Sequence, residues 1–134
     1  MNPSALLTVF VGGVVGGLAR YGLMSVWPAD DASFPTATLV VNTSGTFALA
    51  VLVGFLAARR AGTGRARLLL GTGLLGAYTT FSSVMTVTVR QCAHGHAATG
   101  LSYLAASLVL AVPAVLAGMS AGRALAGVEA GGRR

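Results

Sequence analysis

An all-α membrane protein with four transmembrane helices is the fold this sequence predicts, and three observations carry the prediction. Of 134 residues, 54% are hydrophobic and only 9% charged, against roughly a quarter charged in an average soluble domain. The few charges are grouped: residues 1–19, 32–58, 68–89 and 91–122 contain no Asp, Glu, Lys or Arg. Each of those windows is long enough to cross a hydrocarbon core of about 30 Å, which takes roughly 20 residues of apolar helix. A soluble bundle would need charged helix faces, and these windows have none. The chain therefore reads as one unit, 1–134, with spans at about 4–27, 36–58, 68–90 and 97–122.

The first span opens without a basic segment between Met1 and Phe10, so it reads as a membrane helix and not as a cleaved signal. It holds Gly12, Gly13, Gly16 and Gly17, two overlapping GxxxG faces that let another helix come close. Trp27 and Pro28 mark an interface and a stop. The second span carries Thr38, Asn42, Thr43, Ser44 and Thr46. An amide left unpaired in hydrocarbon is costly, so Asn42 is expected to face protein, water or an ion. The third span is expected to break near its middle, where Gly76-Ala77-Tyr78-Thr79-Thr80 combines glycine with weak helix formers. Polar residues Thr79, Thr80, Ser82 and Ser83 then lie at membrane depth, where irregular backbone is tolerated only against protein or a cavity. The fourth span holds Tyr103, Ser107 and Pro113. Its tail, Glu129 to Arg134, is rich in Gly and Arg and is expected to lack order. Four short spans can hardly enclose a pathway alone, which makes oligomerisation the expected solution.

Several functions are excluded by what is missing. The net charge of +6 comes from nine Arg against Asp30, Asp31 and Glu129, with most of the Arg outside the spans, where anionic headgroups attract them. No soluble basic stripe with aromatic neighbours is present, so nucleic acid is not an expected partner. Gly71, Gly73 and Gly76 spell GxGxxG, but no strand precedes them and no acidic residue follows at the required distance. Cys92 is a lone cysteine, and His94 and His96 sit in a short loop with no zinc-like spacing. No carboxylate lies within a span, and Ser82 and Ser83 have no base on their helix. The chain is not expected to be an enzyme. What remains is a cluster of neutral hydrogen-bond donors with aromatic rings, which suits a small anion better than a proton or cation. Phe81 belongs to it, because the positive edge of a ring can face an anion.

At these residues the sequence resembles the Fluc/CrcB fluoride channels. The resemblance lies in Gly16-Gly17-Leu18-Ala19-Arg20-Tyr21, in Thr38-Leu39-Val40-Val41-Asn42-Thr43-Ser44-Gly45-Thr46-Phe47 and in Gly73-Leu74-Leu75-Gly76-Ala77-Tyr78-Thr79-Thr80-Phe81-Ser82-Ser83. Tyr103 with Ser107 fits that family's fourth helix, so the likeness covers all four spans in order. It implies an antiparallel dimer with two pores and a sodium ion (Na+) at its centre, held by backbone carbonyls matching Gly76 and Thr79. It also implies pore roles for Asn42, Phe81, Ser82, Thr38, Tyr103 and Ser107, with Arg20 near the pore vestibule. One departure stands out: Val84 occupies the place of the family's second pore phenylalanine.

The arginines are unevenly placed. Four spans put both termini and the loop between spans two and three on one face. That face collects Arg59, Arg60, Arg65, Arg67, Arg123, Arg133 and Arg134, while Arg20 and Arg90 lie toward the other. The positive-inside rule then makes both termini cytoplasmic, in a prokaryotic plasma membrane. The expected assembly is a homodimer, or a heterodimer with an oppositely oriented paralogue, embedded in membrane lipids and passing fluoride. A drug/proton antiporter of similar size would need a membrane-embedded carboxylate. A subunit serving packing alone would use the same glycines and hydroxyls without conducting.

Overall fold

Asn2 starts the first helix by accepting hydrogen bonds on Oδ1 from the Ser4 amide and hydroxyl. Pro3 follows at the first helical position, where its missing N–H costs nothing. The computed structural model describes residues 2–27, 32–59 and 64–131. Helix α1 spans Pro3–Val26 and α2 spans Thr36–Ala58. A π-helix over Arg67–Leu75 runs into a short turn, α3, at Gly76–Tyr78. Helix α4 covers Phe81–Ala93 and α5 covers Ala97–Gly131. Among the described residues, four stretches are long and apolar enough to cross a membrane: Pro3–Val26, Thr36–Ala58, Arg67–Ala93 and Ala97–Val128. The chain is thus an all-helical, multi-pass membrane protein.

Helix α5 runs well beyond position 122, and its backbone is helical to Gly131, while residues 132–134 of the tail lie outside the described residues. Alanine and leucine in this stretch favour helix strongly enough to carry it past Arg123. Asp30, Asp31, Arg60, Arg133 and Arg134 lie outside the described residues.

Glycine sets the packing. Gly12 and Gly16 on α1 lie against the backbone of Leu69 and Leu74, and Gly73 returns the contact against Val9 and Gly12. Gly13 and Gly17, the other GxxxG face, meet nothing within 4 Å. On the opposite flank, Gly118 and Gly122 of α5 press on the α2 backbone at Phe47, Val51 and Phe55, while Gly54 of α2 meets Met119. Without side chains at these positions the helix axes approach closely, which is how membrane helices gain packing energy when burial from water is no longer available. The turn between α4 and α5 is a Schellman motif. Gly95 adopts φ +85°, the His96 amide donates to the Gln91 carbonyl at 2.8 Å, and the Gly95 amide donates to Cys92. Only glycine takes that left-handed conformation without strain.

The core is small and partly polar. Val41, Gln91 and Tyr103 are its largest fully buried side chains, whereas Leu7, Phe10, Leu18, Val109 and Leu116 stay exposed. In water that outer surface would be a liability. Around a bilayer it is the lipid-facing or partner-facing wall.

Candidate functional site

Between α3 and α4 the backbone leaves the helix for two residues. Thr79 (φ −82°, ψ 155°) and Thr80 (φ −152°, ψ 116°) are extended. Asn42 of α2 satisfies the exposed backbone there. Thr80 N–H donates to Asn42 Oδ1 at 2.8 Å, and Asn42 Nδ2 donates to the Thr80 carbonyl at 2.9 Å. A continuous helix would send the Thr80 amide to the Gly76 carbonyl. With that amide diverted, the Gly76 carbonyl loses the donor it would otherwise have. Thr79 holds the end of α3 through its own amide and hydroxyl, both donating to the Leu75 carbonyl. Thr80 Oγ1 then accepts from the Ser83 amide at 3.2 Å and caps α4. Gly45 makes room for this arrangement, since a side chain there would strike Thr79 and Tyr78.

A groove of about 260 Å³ opens beside the interruption. It is lined by Asn42, Thr43 and Thr46 from α2, by Thr79, Thr80, Phe81 and Val84 around the interruption, and by Ser107 with the apolar Leu104, Leu108 and Ala111 from α5. Phe81 is 69% exposed, while Val84 is 4% exposed. The groove therefore combines an amide, several hydroxyls and one ring, and no carboxylate lines it. Thr79, Thr80 and Ser107 already donate their hydroxyl protons to Leu75, Ser83 and Tyr103, so donation to a small anion falls first to Asn42 and Thr46, and the lining offers no carboxylate to exchange protons.

The expected site residues divide into groups. Asn42, Phe81, Thr79 and Ser107 come together in the groove. Thr38 and Tyr103 sit one helical turn away, at i−4 from Asn42 and Ser107, and both are buried. The Tyr103 hydroxyl has Thr38 and Ser107 beside it, yet it makes no hydrogen bond of good geometry. Its ring packs edge-on against Phe34, with centroids 5.8 Å apart. Ser82 is exposed and contacts Thr80 Oγ1 at 3.2 Å, but it does not line the groove. Arg20 is half-buried on α1 and does not line it either.

Gln91 escaped the sequence reading. It is 1% exposed, and its Nε2 donates to the Ser33 carbonyl at 2.8 Å. Its position at the end of a span, beside Arg90, makes it look like an ordinary solvated helix end. Only the fold places it under the segment that precedes α2.

The sequence profile of the CrcB-like protein, Camphor Resistance (CrcB) family matches residues 7–119. The chain is 37% identical over 122 residues to the protein named fluoride-specific ion channel FluC of Rhizobium meliloti, covering 90% of this chain and 97% of that one. It is 41% identical over 119 residues to the FluC of Paracoccus denitrificans, covering 89% and 94% respectively. Fluoride-specific ion channel FluC 3 of Streptomyces avermitilis is 37% identical over 123 residues, which are 92% of this chain and 60% of that protein.

Proposed function

The chain belongs to the CrcB-like protein family, alongside relatives named as ion channels and not as enzymes, and from that premise we propose that it is a fluoride-selective channel subunit that lets fluoride leave the cytoplasm passively. The observation that carries the proposal is the groove at the helix interruption, where Asn42, Thr80, Ser107 and the Phe81 ring converge without a carboxylate. Fluoride enters acidified surroundings as neutral HF, ionises in the cytoplasm and is trapped. An interior-negative potential of 100 mV is worth about 2.3 kcal/mol per charge, enough to drive the anion outward with no ATP. A narrow path would select fluoride by replacing its water with amide, hydroxyl and ring-edge contacts.

In this reading the interruption is the family's broken helix, and an antiparallel dimer closes the groove into a pore. Phe81, largely exposed in the single chain, then faces a second subunit. The carbonyls of Gly76 and Thr79 suit a sodium ion, because hard cations take oxygen ligands and the Thr80 amide no longer competes for Gly76. When bound, Na+ would supply positive charge at the C-terminal end of α3, where the last carbonyls lack helical donors. Thr38 and Tyr103 extend the polar path by one turn. Arg20 would add positive potential at its mouth, and Ser82 serves the path indirectly through Thr80.

Val84 offers no ring edge, so a homodimer would lack that contact in both pores. Together with the one-sided arginines, this favours a heterodimer with an oppositely oriented paralogue, both termini of this chain being cytoplasmic. The numbered name of the Streptomyces avermitilis relative, FluC 3, is of the kind given to paralogues. The test is Phe81→Ile, assayed in liposomes with whichever partner the wild-type chain requires. Fluoride flux should fall at least a hundredfold while the assembly stays intact, and unchanged flux would remove Phe81 from the path.

A further inference from the structure

A second groove, of about 530 Å³, runs between the end of α2 and the start of the π-helix. Cavities of about 300–1,000 Å³ are the usual size for ligands. Leu49, Leu52 and Leu56 of α2 form one wall, at the spacing that puts side chains on one helix face. Arg67, Gly71 and Thr72 of the π-helix stand opposite. The π-helix presses on its other neighbour, α1, where Gly73 meets Val9 and Gly12. Toward α2 it leaves space, because Gly71 has no side chain to fill it. A Cβ at Gly71 would lie 3.5 Å from the Leu52 side chain and 3.9 Å from that of Leu49, ordinary contact distances. Gly71 is therefore a floor with room above it and not a point of close approach. Segments of π-helix are rare and often mark functional sites.

The two ends of the groove differ in chemistry. Ala57 and Arg67 mark its mouth, since α2 finishes at Ala58 and the π-helix starts at Arg67. Leu49 lies about 12 Å deeper, at 1.5 Å of helix per residue. The segment from Arg59 to Arg67 contains four arginines and no Asp or Glu. A cation at the edge of the span thus sits over a wall of leucine, and its own segment supplies no counter-charge. A purely apolar helix would cover the leucines and leave the arginine unanswered. An anion with an apolar tail matches both ends.

We propose that this groove binds an anionic phospholipid, with one acyl chain along the α2 leucines and the phosphate held by Arg67. The guanidinium fork pairs with two phosphate oxygens at once. Thr72, further along the same wall, donates to an ester carbonyl of the glycerol. The tail finds hydrocarbon everywhere in a bilayer, so selectivity comes from the charge of the headgroup. With both termini inside, the mouth opens on the cytoplasmic leaflet, which carries anionic lipid. No residue lines both this groove and the one at the helix interruption, so the site stands apart from the fluoride path. A lipid seated there braces α2 against the first half of the third span.

The purified full chain is titrated in detergent with phosphatidylglycerol, and bound lipid is counted by native mass spectrometry. Phosphatidylcholine with the same chains is the zwitterionic control, and glycerol 3-phosphate is the headgroup without a tail. Saturable phosphatidylglycerol binding is expected, with half-saturation at least about fivefold below that of phosphatidylcholine, the scale of one arginine at a charged surface. Arg67→Gln should bring phosphatidylglycerol to the phosphatidylcholine value. Gly71→Leu, which fills the floor, should abolish saturation, and Gly71→Ala should weaken binding if the leucine variant fails to fold. Equal binding of the two lipids, or half-saturation unmoved by these substitutions in folded protein, would overturn the site. Glycerol 3-phosphate binding as tightly as the lipid would make it a phosphate site and overturn the lipid. Lipid bound to the single chain but absent from the assembled channel would give the groove to the second subunit and overturn it too. None of these readings uses flux, so the site stands or falls separately from the channel.

Discussion

Replacing Asn42 with alanine strands both polar backbone groups of Thr80, because one amide side chain satisfies the two of them. Each unpaired group in a poorly hydrated place costs about 1–3 kcal/mol, although hydrogen bonds between membrane helices average closer to 0.6 kcal/mol. Asn42→Ala should therefore lower stability by about 1–3 kcal/mol, measured by unfolding in mixed micelles, and should also cut fluoride flux. A subunit in which Asn42 served packing alone would lose stability and keep its flux per folded assembly. The sequence identified Asn42 as a residue that must face something, since an amide at membrane depth is expensive. It did not reveal that the partner would be the backbone of Thr80, because a contact so distant along the chain leaves no local pattern. Gln91 was invisible for the same reason.

Among the elements, the four helical spans were legible because charge-free windows of this length have few alternatives. Gly12 and Gly16 were legible as a packing face, yet their neighbours Gly13 and Gly17 have the same spacing and meet nothing within 4 Å. Spacing alone does not tell which face of a helix is covered. Gly118 and Gly122 repeat the pattern on α5 and went unnoticed beside Pro113 and the polar residues of that span. The π-helix at Arg67–Leu75 has no sequence signal that we can identify. Gly122→Val should separate α5 from α2, since a side chain there meets the Phe55 amide at 2.7 Å and the Val51 carbonyl closer still. Overpacking of this kind costs about 1–3 kcal/mol, read as a loss of folded protein on gel filtration. Gly127→Ala, with nothing within 4 Å, should be neutral or gain up to about 1 kcal/mol through helix propensity. Equal losses from both substitutions would show that the close approach of α2 and α5 is not what glycine provides.

At the scale of the whole molecule, the single chain leaves the groove and the Phe81 ring exposed, so the proposed channel includes a second subunit. Its identity should follow from insertion. With arginines gathered beside α2, the π-helix and the end of α5, the chain is expected to adopt one orientation, both termini inside. Single cysteines introduced near each end, in a Cys92→Ser background, should be labelled from one side of intact cells only. Equal labelling from both sides would remove the fixed orientation and with it the main argument for a paralogous partner. The central claim, that this assembly passes fluoride, is tested most directly by efflux from liposomes read with a fluoride electrode, chloride serving as control. The purified chain is reconstituted alone and then with an oppositely oriented paralogue. Fast efflux of fluoride without chloride, in either arrangement, is the predicted result. A folded assembly that passes neither ion in both arrangements, or passes chloride equally well, would contradict the account.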